Sequence, residues 1–490
     1  GKYVKLINPN FAKPKGIRHV DAAIDPYVRE ALKKYNRELY KESAGYTRSG
    51  GGLEPLEMQF QAYDRKYNTF SDIPENLRHY YVAAVEKVRH EMRLTEKVIP
   101  LWLYDVEVDG STSAGWPYYK KKSDVGQKLF DDARLLQHRM KHYGLNTQYP
   151  PCTAMMSGKI SKIEEAKTRL IWQYPGTMTI CEGVFAQPLI DAYLQKDKSH
   201  YFMTGLDAIQ RHKEFQALTS RRNIFYGLDF SQYDASVPPF LIYAAFSILA
   251  DNILFGAYED TQKVMYGGSG TKARAIKLWN MLVHYFIFTP VLTHTGKLFQ
   301  KVGGVPSGSY FTNLLESIMT RIIYTFVFMV MKQYINIKMF CTNGDDSVII
   351  AETGTRLDLG VISDLVLSTF GILIKPEKCI VTETTDDIFA SGSIWRHMLP
   401  YRESIDWFRL AMAARTYVKD ADMSFSRMTG LLLCGGFTDT RFCEFYEFFQ
   451  SCYALSRPKF DKHDWKVKML GWTQKEFEKL NLFTMFLHYS

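Results

Sequence analysis

The sequence predicts a fold of the α/β class, more closely α+β: a small sheet with helices packed on one face. Two observations carry this. Between residues 223 and 400 short strand-like runs alternate with helical ones, and one of them, KMFCTNGDDSVIIAE, reads as two strands folded back at a polar turn. A third sets the scale: at 490 residues the chain is too long for one core, so several subdomains are expected.

Taken in order, the first hundred residues mix basic turns (FAKPKGIRH, 11–19) with amphipathic stretches that predict helices at 25–42 and 75–93, joined through a flexible SGGGLEP at 49–55. From 100 to 225 the pattern turns irregular, with a lysine cluster at 120–122. NIFYGLDF then predicts a strand, PPFLIYAAFSILADNILF and TNLLESIMTRIIYTFVFMVM helices, LGVISDLVLSTF another helix, and ILIKPEKCIVT a strand. The remainder, 401–490, reads as helical, with aromatic stripes in CEFYEFFQSCY and KEFEKLNLFTMFLHY assigned to the core.

Composition narrows the class. Hydrophobic residues are 46% and charged residues 23%, as in ordinary globular proteins, and the net charge of +9 favours a polyanionic partner without proving one. Seven dispersed cysteines without a C-x-x-C suggest a reduced compartment and no structural zinc. No signal-like segment opens the chain, and the apolar run at 322–331 stops at Lys332, so no membrane span is expected.

The chemistry begins with LDFSQYD (228–234). Asp229 closes a buried strand and Asp234 follows five residues later; alone, Asp234 could equally cap a helix starting near Pro238. In CTNGDDSVII the adjacent Asp345 and Asp346 sit at the hairpin tip, where a turn needs one acid at most and a second adds only repulsion. A divalent cation with hard oxygen ligands removes that repulsion. Asp229 with Asp345 and Asp346 could hold two such ions roughly 3.5–4 Å apart for in-line phosphoryl displacement.

Between the acids, GGVPSGSYFTN (303–313) is a glycine-rich loop leading into an apolar helix. Its Ser307, Thr312 and Asn313 are short hydrogen-bonding groups fit to read a ribose hydroxyl, although Ser307 or Ser309 could simply cap the helix. Upstream, SGKISKIEEAKTRLIW (157–172) gathers Lys159, Lys162, Lys167 and Arg169, cations suited to a triphosphate or to a solvated strand.

In this order the elements resemble the motifs of viral RNA-dependent RNA polymerases, within them most closely the replicases of partitiviruses and picobirnaviruses, which have double-stranded RNA genomes. TSAGWPY (112–118) is similar to motif G, KIEEAKTRLI (162–171) to motif F, DFSQYD to motif A, PSGSYFTN (306–313) to motif B, NGDDS to motif C and KPEKCIV (375–381) to motif D. FASGSIWRHMLPYR (389–402) resembles motif E only loosely, and Glu316 stands where many relatives carry an asparagine.

The resemblance implies a right hand of fingers, palm and thumb, closed by fingertips that touch the thumb. By position, 1–100 would bridge fingers and thumb, 101–222 form fingers, 223–240 and 301–400 the palm, 241–300 a fingers insertion and 401–490 the thumb. It implies that Asp229 and Asp345 ligate two Mg²⁺ or Mn²⁺ ions, with Asp346 accessory, and that Lys378 is the general acid, with Lys375 its rival. Lys162 and Arg169, with Lys159 and Lys167, would hold the nucleoside triphosphate. Asp234, Ser307, Thr312 and Asn313 would select ribose, and Ser113, Ala114 and Gly115 would guide the template. The implied partners are RNA template and product, NTPs and viral capsid protein; the implied location is the virion interior and host cytoplasm. A reverse transcriptase and a non-catalytic RNA-binding protein are the rival readings. Asp234 and Asn313 count against the first, and the presence of all three acids against the second.

Overall fold

The computed structural model describes residues 1–13, 24–47, 53–158, 160–162, 168–195, 201, 223–258, 272–383, 388–390, 393–396, 399–414 and 417–456. Its organising sheet has four antiparallel strands in the order Ile337–Asn343, Asp346–Glu352, Asn223–Gly227, Ile380–Thr382. The expected hairpin is there, and Asn343 pairs with Asp346, leaving Gly344 and Asp345 as the two-residue turn. Gly344 takes φ 60° at the first turn position, which a glycine adopts without strain.

One face of this sheet carries the apolar helix Thr312–Val330, which also packs on helices Arg78–Glu91, Pro239–Ala250 and Leu359–Phe370. Its residues Leu314 to Phe328 are all buried. This is the one helix among the described residues long and apolar enough to cross a membrane, and 83% of that window is buried inside the protein. Arg321 lies within it as an ion pair with Glu91, its guanidinium over the Phe340 ring at 4.4 Å, which offsets the cost of burying a charge.

Two elements break where the sequence reading ran them together. Residues 25–42 form not one helix but two, Pro26–Tyr35 and Arg37–Ala44, because Asn36 is extended (φ −158°) and its side chain caps the second helix. ILIKPEKCIVT is not one strand: Leu373–Ile374 pairs with Phe230–Ser231, a turn at Pro376–Lys378 intervenes, and Ile380–Thr382 joins the main sheet. The 49–55 joint lies partly outside the described residues, and Leu53 already begins a helix.

The stretch taken as irregular holds two long helices, Gln127–Tyr143 and Gly176–Tyr193. The second shows no polar face because it is buried nearly all round, and it carries Pro188 within it. A second sheet, in the order Lys5–Asn8, Leu298–Gln300, Pro290–Leu292, Cys152–Gly158, Thr168–Gln173, draws the N-terminus against this region.

A separate core is built from Trp407, Phe408, Phe442, Phe445 and Phe449 together with Val28, Leu32 and Leu39. Asp25 fastens the N-terminal helices to it, accepting from Tyr27 N–H, Val28 N–H, the Ser424 hydroxyl and Arg427. The chain then runs on to Tyr46–Thr47, which pairs with Ser161–Lys162. The aromatic stripe of CEFYEFFQSCY is core as expected; KEFEKLNLFTMFLHY lies outside the described residues. None of the seven cysteines forms a disulfide.

Candidate active site

Asp345 occupies the hairpin tip, and Asp346 starts the returning strand, exposed. The tip is held by polar residues recurring every three or four positions along the Thr312–Val330 helix. Asn313 donates to Asn343 Oδ1 (3.0 Å), the Ser317 hydroxyl accepts from Gly344 N–H (2.8 Å), and the Thr320 hydroxyl donates to Gly344 O (2.7 Å). Asp229 enters from the neighbouring strand, two residues past Gly227; Tyr226 there pairs with Ile349, so continuing the register brings it alongside the start of Asp346–Glu352.

The acids feel one another. Asp345 is pushed up to about 7, first by burial and then by Asp346, Asp234 and Asp229. Asp234 sits in the single turn Tyr233–Ser236 rather than capping the Pro239 helix, whose N-cap is Pro238 without a side-chain bond. Burial raises Asp234, while a hydrogen bond with Glu316 and the nearby Arg169 lower it. Glu316, buried, is raised well above the usual carboxylate range by desolvation, by Asp234 and by Asp345 and Asp346. Its Oε1 meets no conventional donor among the described residues. One shared proton satisfies the contact: Glu316 stays a neutral acid and donates to the Asp234 carboxylate.

The 303–311 loop is pinned from several sides. The Ser307 hydroxyl accepts from Trp172 N–H (3.1 Å) and Thr312 donates to Pro306 O (2.7 Å), so neither caps the helix; Phe311 is its N-cap, without a side-chain bond. A side chain on Gly308 would lie 1.8 Å from Trp172 O, so only glycine fits there. Glu182, pushed up to about 8 by burial, accepts from the Ser309 hydroxyl (2.6 Å) and Tyr310 N–H (3.0 Å). Lys301, wholly buried, donates to Phe286 O (2.5 Å), Ile287 O (2.7 Å) and Gly304 O (2.9 Å). Lys301→Met strips three buried carbonyls of their donor and is expected to cost about 3 kcal/mol in equilibrium chemical denaturation. A stability equal to wild type would show that the ammonium is not the tie.

Of the expected nucleotide-binding cations, Arg169 lies close enough to act on Asp234, Lys162 is exposed on the short strand beside Tyr46–Thr47, and Lys159 and Lys167 lie outside the described residues. Lys378 is exposed at the turn just before Ile380, whose strand partner is Gly227, two residues from Asp229. Ser113 accepts from Gly115 N–H (3.1 Å), and Ala114 is fully buried with its N–H and carbonyl both engaged, so its side chain presents nothing to a ligand.

Sequence reasoning missed Glu182 and Lys301, and singled out Glu316 without giving it a role. Glu316 was marked by the four-residue spacing Thr312, Glu316, Thr320 on an apolar helix; the other two carry no local signal.

Among the described residues no group of three or more His, Cys, Asp or Glu side chains is positioned to hold a metal alone. Mutually repelling carboxylates at one tip nonetheless fit a hard divalent ion such as Mg²⁺, which commonly takes one or two carboxylates and completes its shell with phosphate and water.

A family model described as "Viral RNA-dependent RNA polymerase" matches residues 10–446. The RNA-directed RNA polymerase of Cryptosporidium parvum virus 1 (strain KSU-1) is 30% identical over 250 residues, 50% of this chain and 44% of that protein. The genome polyprotein of avian encephalomyelitis virus (strain Calnek vaccine) is 31% identical over 157 residues, 29% of this chain and 7% of that one. The chain thus spans less than half the length of these curated relatives. The crystal structure of the RNA-dependent RNA polymerase of a human picobirnavirus superposes with a TM-score of 0.63 over 96% of this chain and 90% of that one, at 13% identity. Its insertion-loop deletion mutant gives 0.60 at 14% identity over 92% and 86%. The fold is therefore the right-hand polymerase fold, and with a family match running across most of its length, the chain belongs to the viral RNA-dependent RNA polymerases.

Proposed function

We propose that this chain copies RNA for a double-stranded RNA virus, adding NTPs to a template-directed strand in genome replication and transcription. The observation that carries the reading is the convergence of Asp229, Asp345 and Asp346 at one end of the sheet, with Asp234, Arg169 and the 306–313 loop beside them.

Asp229 and Asp345 would hold two Mg²⁺ or Mn²⁺ ions, with Asp346 accessory. When bound, these supply charge neutralisation at the attacking 3′-hydroxyl and at the departing pyrophosphate. Arg169 and Lys162 attract and orient the triphosphate. Lys378 gives its proton to pyrophosphate as the α-phosphorus bond to the leaving oxygen breaks. The Ser307 hydroxyl, accepting from Trp172, keeps its own proton for a sugar oxygen, and Asp234, held by Glu316, accepts from the ribose 2′-hydroxyl. In this assignment residues 223–240 and 301–400 are palm, 101–222 and 241–300 fingers, 401–490 thumb, and 1–100 the bridge between them. The enzyme works in the virion interior and host cytoplasm beside capsid protein.

The test is NTP incorporation on unprimed single- and double-stranded RNA with Mg²⁺ or Mn²⁺; incorporation of dNTPs with NTPs refused would make it a reverse transcriptase. For the sugar, Asp234→Ala is expected to lower the NTP-to-dNTP preference about ten-fold or more, the worth of one charged hydrogen bond. Glu316→Gln keeps a donor toward Asp234 and should retain that preference, whereas Glu316→Ala should lose it. Equal preference in all three proteins would remove both residues from sugar selection.

A further inference from the structure

In the proposed function Arg169 meets the triphosphate and the 306–313 loop meets the sugar, yet the two come from distant parts of the chain. One continuous piece holds them together. The strand Thr168–Gln173 carries Arg169, and the helix Gly176–Tyr193 follows it at once. Within this piece Trp172 takes the front of the loop: its N–H donates to the Ser307 hydroxyl (3.1 Å), and its carbonyl lies where any side chain on Gly308 would collide.

Glu182, from the helix, takes the back of the loop. Its carboxylate accepts from the Ser309 hydroxyl (2.6 Å) and from Tyr310 N–H (3.0 Å). The Ser309 hydroxyl in turn accepts from Phe311 N–H (3.2 Å), and Phe311 is the N-cap of Thr312–Val330. The grip therefore falls between Ser307 on one side and Thr312 and Asn313 on the other.

Two features say that this grip is more than packing. Glu182 is 1% exposed, and among the described residues no cation pairs with it; a leucine would fill the space at lower cost. Its helix is also the fixed partner, buried on nearly every side and tied by Gly176 N–H to Ala114 O (2.7 Å), so the loop is what Glu182 sets.

We propose that Glu182 is a positioning residue for nucleotide selection: by holding Ser309 and Tyr310 it keeps the 306–313 loop in register with Arg169, so that sugar and triphosphate of one nucleotide are read at a fixed separation. A misplacement of about 1 Å is enough to spoil such a reading. The inference rests on the polymerase reading and extends it to a residue that touches no substrate.

Incorporation of NTP and of dNTP on one primed RNA template is measured as kcat and KM in wild type, Glu182→Ala, Glu182→Gln, Ser309→Ala and Asp234→Ala. Glu182→Ala is expected to lower the NTP-to-dNTP preference about ten-fold, through a lower kcat/KM for NTP while that for dNTP barely moves. Glu182→Gln should keep the preference. Its amide oxygen accepts from Tyr310 N–H and its NH₂ donates to the Ser309 oxygen. The Ser309 proton then turns to the Tyr174 hydroxyl, which is buried beside both residues and meets no partner of ordinary geometry among the described residues. Ser309→Ala, left with the Tyr310 contact alone, should fall between the two. A merely structural role reduces the folded fraction, which lowers both incorporations in proportion and leaves their ratio alone. An unchanged ratio in Glu182→Ala therefore overturns the proposal, and where that variant does not fold, an unchanged ratio in Ser309→Ala does so. A lowered ratio in Asp234→Ala with none in Glu182→Ala refutes this inference alone, whereas a wild type that incorporates no NTP strikes the polymerase reading.

Discussion

Asp345→Asn is expected to lower RNA synthesis by on the order of 10³-fold or more, and at the same time to make the metal-free protein more stable above about pH 7. The two effects have one cause. In the folded protein burial and the charges of Asp346, Asp234 and Asp229 raise the Asp345 carboxyl from its ordinary value to about 7. A carboxyl raised on folding binds its proton more tightly in the native state. Its stabilising contribution is therefore full below the ordinary carboxylate range and is lost as pH climbs through about 7. Asparagine has no proton to lose and escapes that penalty, but it also withdraws the ligand on which phosphoryl transfer depends. Asp229→Asn should match the loss of synthesis. Asp346→Asn should lose less, because its exposed side chain lies past the tip. Turnover near wild type in the Asp345 variant, or a lower midpoint in denaturant at about pH 8, would contradict the assignment.

Affinity for Mn²⁺ alone, measured by titration calorimetry or electron paramagnetic resonance without RNA, is expected to fall about ten-fold for each pH unit below about 7. A cation binding at Asp345 must displace the proton held there, and one proton released per ion gives that slope. In Asp345→Asn that slope disappears along with most of the affinity. A flat profile between about pH 6 and 8 in the wild type would mean that the tip acids are not where the ion sits.

How much of this was written legibly in the chain depends on whether a signal was local. The hairpin and the Thr312–Val330 helix were readable because period-two and long apolar patterns suffice to name them. Gly176–Tyr193 was not, since a helix buried on every side has no polar face to give its period, and Pro188 argues against it. The break at Asn36 is a capping choice that competes with two good helical runs. At the site, Asp229, Asp234 and Asp345 announced themselves as acids near strand ends. Glu182 and Lys301 did not, because each acts on a loop more than a hundred residues away or on backbone carbonyls that any sequence possesses.

The shared core of Val28, Leu32 and Leu39 with Trp407 and Phe442 to Phe449 has a consequence in time. Helices Pro26–Tyr35 and Arg37–Ala44 bury their apolar side against residues roughly four hundred positions further along the chain, so that side stays uncovered until those residues have been made. Asp25 likewise waits for Ser424 and Arg427. Residues 25–44 are therefore among the last to settle in this core, waiting on helices Ser404–Met412 and Thr440–Cys452.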